Sequence, residues 1–198
     1  MIDRVRGTIT RRMLLNFRVD ADVARRQLPA GFEPKLVSGY AIAGVCLIRL
    51  EQERLAWLPD ALGVSSENAA HRFGVFSVDE NGARRECVYI ARRHSGSMLN
   101  VVLGGRFFPG EHHRARFDVA ESDGGIVLAM RGADGLDVHV RARPTRYLPR
   151  TSVFGSLDEA SAYFRPGSLG YSERQDGRMR YATFAPAPRR SADRSRRD

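Results

Sequence analysis

Apolar and polar side chains alternate along most of this chain, which is the pattern of strands that bury one face. The first such run, 5–19, is rich in β-branched and aromatic residues. Further runs end at turn-forming residues and predict strands at 33–37, 40–51, 64–79, 84–94, 112–121, 126–131, 136–143, 171–175 and 178–184. Short links such as Asn81-Gly82 join successive runs, so antiparallel pairing is expected to dominate.

Three short segments carry helix signals instead. Asp20 is a suitable N-cap for a helix over 21–27. Ser156 and Glu159 form a capping box ahead of a helix that ends at Phe164. Apolar residues at helical spacing predict a further helix in 97–107. With two or three short helices, a mainly β (α+β) chain of this size would hide its strand edges by closing on itself. We therefore predict a closed antiparallel β-barrel or meander over 1–184.

Composition agrees with one folded domain and a basic tail. The chain has 198 residues, of which 42% are hydrophobic and 9% aromatic, enough to form a core. The segment 185–198 contains five arginines and two aspartates and is predicted to be disordered. Across the whole sequence the apolar runs are too short for a membrane-spanning helix, and the first residues lack the apolar core of a signal peptide. We expect a cytoplasmic protein without a membrane partner.

The net charge of +9 comes from 32 Lys and Arg residues against 23 Asp and Glu residues. Lys35 is the only lysine, and so lopsided a ratio indicates coding bias rather than selected contacts. We therefore expect no nucleic-acid partner, although salt-sensitive binding of a polyanion remains an alternative. Cys46 and Cys87 lie in apolar runs, which is typical of reduced core thiols rather than of a disulfide or zinc site.

Ionisable groups on apolar strand faces are the candidates for chemistry. By alternation, Glu67 and His71 share a face with Ala69, Phe73 and Val75. His113 likewise shares a face with Ala115, Phe117 and Val119, and His112 points the other way. Burying such groups without partners costs about 1–3 kcal/mol each. They are either satisfied core residues or members of a cavity in which a carboxylate and an imidazole exchange protons.

Three other residues are candidates for binding a substrate. Arg92, at the end of a strand that is apolar on both faces, and Arg106 could each hold an anionic group through a bidentate contact. In the strand containing Arg92, alternation places His94 on the face opposite Tyr89. The only tryptophan, Trp57, lies in an apolar loop at 55–63 that is either a core plug or a lid over a cavity.

Neither a metal site nor a nucleophile elbow is predicted. His112 and His113 are adjacent, so their rings diverge on a strand, and H-x-H, C-x-x-C and H-E-x-x-H motifs are missing. A G-x-S-x-G motif is missing as well. No cofactor is expected.

Three segments, taken in order, resemble a known family. They are LLNFRVDADVARRQLPAGFEPKLVSGYAIAGVCLIRL, FFPGEHHRARF and FRPGSLGYS. Over 11–184 the chain resembles the uncharacterised YqjF-like proteins, a branch of the acetoacetate decarboxylase-like superfamily. This resemblance implies a cone-like antiparallel barrel with an interior cavity and a few helices.

The resemblance also bears on the chemistry. Acetoacetate decarboxylase forms a Schiff base between a lysine and a keto acid, and that lysine follows a proline in the segment similar to 107–116. Here the segment contains Gly110, Glu111, His112 and His113. The only lysine, Lys35, lies outside the motif and is expected on the surface, so imine chemistry is not expected. Glu67 loosely matches a glutamate of the decarboxylase site.

We therefore expect a small-molecule enzyme that acts on a carbonyl or carboxylate compound by acid–base catalysis. Glu67, His113 and His71 would be the catalytic residues. Arg92, Arg106 and Trp57 would bind the substrate. The alternative is a non-catalytic barrel that binds a small ligand, which the apolar loop at Trp57 favours. A homo-oligomer is compatible with either hypothesis.

Overall fold

The computed structural model describes residues 5–78, 81–98, 110–165, 169–173 and 179–183. The strands are β1 (Val5–Asp20), β2 (Phe32–Pro34), β3 (Leu36–Val37), β4 (Tyr40–Leu55), β5 (Val64–Val78), β6 (Arg84–Ser95), β7 (Glu111–Ser122), β8 (Gly125–Gly132), β9 (Asp137–Ala142), β10 (Leu169–Glu173) and β11 (Met179–Thr183). The helices are α1 (Ala21–Gln27) and α2 (Leu157–Phe164), with a short 3-10 turn at Asp60–Leu62. The predicted helix at 97–107 falls largely outside the described residues, and so does the predicted tail at 185–198.

All eleven strands belong to one mixed sheet. Its main path runs β1-β4-β5-β6-β7-β8-β9, while β2 pairs with β5, β3 with β4, and β10 with both β6 and β11. Most pairs are antiparallel, as predicted, but β6 pairs in parallel with β7 and with β10. Antiparallel pairing therefore dominates as predicted, but the predicted antiparallel barrel or meander is corrected to a mixed sheet. The connection over 96–110 is long enough for the crossover that parallel strands require.

The sheet is curled but open, which corrects the prediction of a closed barrel. β1 and β9 end the main path, and no ladder joins them within the described residues. The curl instead places the meander β7–β9 against one face of β1, β4 and β5, which we call the inner face. The opposite face is called the outer face.

Apolar packing holds the two parts of the curled sheet together. The buried core consists of Leu47, Ala69, Ala115, Leu128 and Met130. Partly buried residues around it come from both parts of the sheet: Met13, Leu15, Val45, Phe117, Val119, Ile126, Leu136, Val138 and Val140. The face assignments of the predicted strands at 64–79 and 112–121 are confirmed here. Apolar side chains therefore pack between the meander and the inner face, and an open cleft of about 510 Å³ remains beside them, lined in part by Glu67, Phe117 and Gly132.

Helix α1 begins and ends at the predicted residues. The Asp20 carboxylate accepts hydrogen bonds from the backbone N–H groups of Asp22 and Val23, at 2.9 and 3.2 Å. This capping satisfies two of the N–H groups that the first turn of a helix leaves without intrahelical partners. None of the described helices is long and apolar enough to span a membrane.

We expect Asp20→Ala to lower the free energy of unfolding by about 1 kcal/mol, because both capping bonds are lost. Urea unfolding followed by circular dichroism measures the change. Asp22→Ala is the matched control. It removes an exposed ion pair with Arg25 and is expected to cost less than about 0.5 kcal/mol. Equal losses in the two variants would contradict the capping role of Asp20.

Candidate functional site

A register shift in β6 brings together side chains that strict alternation would separate. On β5, His71 pairs with Arg92, but the next residue, Arg72, pairs with Ile90, so Ala91 is left over as a bulge. Beyond the bulge, His94 is opposite Ala69 on the inner face. The prediction that placed Arg92 and His94 on the face opposite Tyr89 is therefore wrong.

Three histidines from adjacent strands meet on the inner face. His71 lies on β5, His94 on β6 and His113 on β7, where His94 and His113 are register partners. The ring centroids of His71 and His94 are 5.0 Å apart, and those of His94 and His113 are 5.3 Å apart with the rings stacked. We call these three residues, with Asp134 and Arg92, the histidine cluster.

A chain of hydrogen bonds orients the cluster. His94 Nε2 lies 3.0 Å from Asp134 Oδ1, and His71 Nε2 lies 3.0 Å from His94 Nδ1. An ionised carboxylate only accepts, so His94 must carry its proton on Nε2, and its Nδ1 then accepts from the Nε2–H of His71. The unprotonated nitrogen at the end of this chain is Nδ1 of His71. No hydrogen bond from another described residue reaches that atom.

The environment keeps both imidazoles of the chain neutral. Burial lowers the pKa of His71 to about 4, and the neighbouring His94 and Arg92 contribute to this shift. Burial also lowers the pKa of His94, although the Asp134 carboxylate opposes the change. The hydrogen bond from His94 lowers the pKa of Asp134 to about 2. At neutral pH the chain is therefore a carboxylate followed by two neutral imidazoles.

Arg92 and Glu111 complete the polar surroundings of the cluster. Arg92 Nη1 donates to Asp134 Oδ2 at 3.0 Å, and Arg92 Nε lies 3.7 Å from a Glu111 oxygen. His113 Nε2 lies 3.0 Å from Glu111 Oε1, but this nitrogen is buried and makes no hydrogen bond of acceptable geometry with the described residues. The distance alone therefore overstates this contact. A polar ligand atom, or a small movement of Glu111, would satisfy the nitrogen.

A model of the family described as "Uncharacterized conserved protein (COG2071)", DUF2071, matches residues 7–183. The chain belongs to this family. A search of curated proteins gave no significant match for this family member.

Solved structures show which fold this DUF2071 member has. One is acetoacetate decarboxylase from Legionella pneumophila subsp. pneumophila str. Philadelphia 1, with a TM-score of 0.54, 10% identity and 88% of this chain covered. Another is an acetoacetate decarboxylase-like enzyme from Sphingomonas wittichii RW1, with a TM-score of 0.57, 14% identity and 82% of this chain covered. This chain spans 62% of the length of each. The DUF2071 member therefore has the acetoacetate decarboxylase-like fold.

Glu67, predicted as a third catalytic residue, lies in a separate ion-pair network of this DUF2071 protein. Arg11 of β1 donates to both Glu67 and Glu121, and Arg49 Nη1 lies 3.8 Å from a Glu67 oxygen. Burial raises the pKa of Glu67, and Arg11 opposes that shift. Through Arg11, Glu67 therefore helps to connect β1 and β5 with the meander. Along β5, Ala69 lies between it and His71.

Of the predicted substrate-binding residues, the structure places Arg92 in the histidine cluster. Arg106 lies outside the described residues. Trp57 is 73% exposed in the turn after β4, so the core-plug interpretation is wrong. Sequence reasoning missed His94, because the bulge reverses its side, and Asp134, because it looks like an ordinary turn residue.

The only lysine is not a free surface group, which corrects the expectation for Lys35. Its side chain is 17% exposed, and its Nζ lies 2.6 Å from a Glu86 oxygen. The same ammonium lies 4.5 Å from the centroid of the Tyr163 ring. Lys35 is therefore held between an ion pair and an aromatic face on the outer side of the sheet.

The outer face also has a small, mostly apolar cavity of about 60 Å³. It is lined by Ile9, Ile48, Leu50, Glu53, Asn68, Ala69, Ala70, Arg93, His94, Ser95 and His112. At its edge Ser95 donates to Asn68 Oδ1 at 2.7 Å, and Asn68 donates to the Ser66 hydroxyl at 2.8 Å. Within the described part of the chain, no group of three or more His, Cys, Asp or Glu residues is arranged to hold a metal ion.

Proposed function

We propose that this protein binds a small carbonyl or carboxylate compound and transfers a proton at the carbon next to the carbonyl group, without a Schiff base. The observation that carries the proposal is the chain from Asp134 through His94 to His71. It ends in a nitrogen lone pair and is anchored by an ionised carboxylate, which is the arrangement of a general base with an orienting partner.

The hydrogen-bonded series His71–His94–Asp134 can stabilise the proton that it takes up. When His71 Nδ1 accepts a proton, its Nε2 proton can move to Nδ1 of His94. The positive charge then lies on His94, directly against the Asp134 carboxylate. His71 alone is a weak base at neutral pH. A substrate anion held near Arg92 would favour the protonated form and raise its basicity.

Two further observations support the chemical class of the ligand and a non-covalent route. The similar solved structures are an acetoacetate decarboxylase and an acetoacetate decarboxylase-like enzyme, so a small oxo acid is the first class to test. The amine of Lys35, the only lysine, is paired with Glu86 and covered by Tyr163. Imine formation would require breaking that ion pair.

Exchange of substrate hydrogen for deuterium tests the proposal. Pyruvate, 2-oxobutyrate and levulinate are incubated with the full chain in D₂O, and loss of the proton signal next to the carbonyl is followed by NMR. We expect protein-dependent exchange with at least one compound, and a rate about 100-fold lower in His71→Gln. His139→Gln, which changes an exposed histidine of β9, is the control and should leave the rate unchanged.

Two results would contradict this assignment. One is exchange that continues at an undiminished rate in His71→Gln. The other is a Lys35 adduct after borohydride treatment in the presence of the same oxo acids, because that would show covalent chemistry.

A non-catalytic binding protein is the second candidate, and the outer-face cavity favours it. The cavity combines apolar walls with the hydrogen-bonded Ser95 and Asn68. Ligand binding seen by saturation-transfer NMR without any hydrogen exchange would support this function. In that case Ala70→Leu, which fills the cavity, should abolish binding, and His71→Gln should not.

A further inference from the structure

Arg72 is a buried cation on the outer face, directly after His71 in sequence but on the other side of the sheet. It is 5% exposed, and its Nη2 donates to Asn16 Oδ1 at 2.7 Å. Its guanidinium lies 5.1 Å from the centroid of the Phe164 ring. Its Nε is buried and has no hydrogen-bond partner among the described residues.

A comparison with Arg11 shows what Arg72 lacks. Arg11 also has a buried Nε without a hydrogen bond, but its guanidinium contacts the carboxylates of Glu67 and Glu121. No described carboxylate lies within ion-pair distance of Arg72. Burial lowers the pKa of Arg72, yet a guanidinium stays protonated in proteins. A buried charge without a counter-charge is strongly unfavourable, so a missing anion is indicated.

Arg72 also forms part of the wall of a small cavity of about 10 Å³. Its lining includes Arg72, Lys35, Glu86 and Tyr163. Glu86 is paired with Lys35 at 2.6 Å, so the two cations and one carboxylate of the lining leave one positive charge unbalanced. The volume is about that needed for one particle of the size of a water molecule.

Helix α2 covers this cavity and limits what can enter. None of its residues is fully buried, and it is attached through its last turn. The Tyr163 hydroxyl donates to the Lys35 carbonyl at 3.0 Å, and the Phe164 ring lies against Arg72. A large or doubly charged anion would have to displace these rings, whereas a single small ion would not.

We propose that the cavity between Arg72 and Lys35 is a binding site for a single halide ion. Such an anion accepts the hydrogen bond that Arg72 Nε lacks and balances the excess charge. Because Arg72 and His71 face opposite sides of the sheet, this site is independent of the proposed proton transfer.

Bromide provides a direct test on the full chain. Crystals grown without halide are soaked in sodium bromide, and anomalous diffraction is recorded at the bromine edge. We expect a bromide peak within hydrogen-bond distance of Arg72 Nε. Density for water alone at this position, or bromide only at exposed arginines, would overturn the proposal.

Thermal unfolding in solution tests the same site and its size limit. The Tm in 100 mM sodium bromide and in sodium acetate is compared with the Tm in sodium gluconate, whose anion is too large for the cavity. We expect bromide to raise Tm by at least about 2 °C. We expect no rise in acetate, which is larger than the cavity, and an equal rise in acetate would contradict a halide site.

The dependence on the two cations completes the test. Arg72→Met should remove the bromide effect, Lys35→Met should weaken it, and Arg18→Met, at an exposed position, should retain it. The Lys35 variant and the bromide-soaked crystals remain informative if Arg72→Met does not fold. Equal Tm values in bromide and gluconate, or an unchanged effect in Arg72→Met, would overturn the assignment.

Discussion

Leu128→Ala is expected to lower the free energy of unfolding by about 2–5 kcal/mol, as measured by urea denaturation at pH 7.5. Leu128 is 1% exposed and lies on β8, in the core that joins the meander to the inner face. In a closed barrel, hydrogen bonds between the first and last strands would also hold the meander against the inner face. In the open sheet, side-chain packing holds the two parts together, so a cavity at Leu128 should lower the free energy of unfolding strongly.

The same substitution should disturb the histidine cluster at a distance. Asp134 lies in the turn between β8 and β9, and the core beneath β8 fixes that turn relative to His94 on β6. We therefore expect the NMR signature of a His94 Nε2–H bound to a carboxylate to weaken in Leu128→Ala.

Val127→Ala is the matched control for both effects. Val127 is the preceding residue on the same strand, points to the opposite face and is 46% exposed. It should change the unfolding free energy by less than about 0.5 kcal/mol and leave the His94 signal unchanged. Similar losses of unfolding free energy in Val127→Ala and Leu128→Ala would mean that core packing does not hold the two parts of the sheet together.

Most strands and both described α-helices could be predicted from local patterns, because alternation and capping are properties of neighbouring residues. The strand predicted at 33–37 is an exception, since it is divided into β2 and β3, which pair with different strands. Asp20 determines the start of α1 in sequence and in structure alike. The inner-face residues of β7 are similarly evident from Ala115, Phe117 and Val119. These features depend on short-range rules that tertiary contacts do not overturn.

The site could be predicted only in part, for two physical reasons. A single extra residue at Ala91 reverses the side on which Arg92 and His94 point, and no local signal in the sequence marks that bulge. Asp134 was not identified from the sequence for a different reason. It accepts from the Leu136 N–H at 3.3 Å, as an aspartate in a turn commonly does, and the same oxygen accepts from His94.

That the sheet stays open could not be predicted from the sequence, for a related reason. A strand count shows that edges must be protected, but it does not show whether backbone pairing or side-chain packing protects them. Here Arg11, Glu67 and Glu121 connect β1 to the meander through side chains. Such long-range contacts have no local signature in the sequence.

Acidification from pH 7.5 to 4.5 is expected to lower the free energy of unfolding through the histidine cluster. His71 has a pKa of about 4 in the folded protein and an ordinary value of 6.5 when unfolded. Between pH 6.5 and pH 4 the unfolded chain binds more protons than the folded chain does, so the free energy of unfolding falls as the pH falls. We expect His71 to contribute about 2 kcal/mol after allowing for the partial exposure of its ring, as measured by urea unfolding at pH 7.5, 6.0 and 4.5.

Asp134 should act in a separate and lower pH range, which allows the two contributions to be distinguished. Its folded pKa of about 2 lies below its ordinary value of 3.8, so its stabilising effect is complete above about pH 5 and is lost as the pH falls from there towards 2. His71→Gln should therefore reduce the loss between pH 7.5 and 4.5 without removing the later one, and His139→Gln should change neither. If the wild-type chain and His71→Gln lost equal stability between pH 7.5 and 4.5, the buried neutral state of His71 would be refuted, and with it the lone pair on which the proposed proton transfer depends.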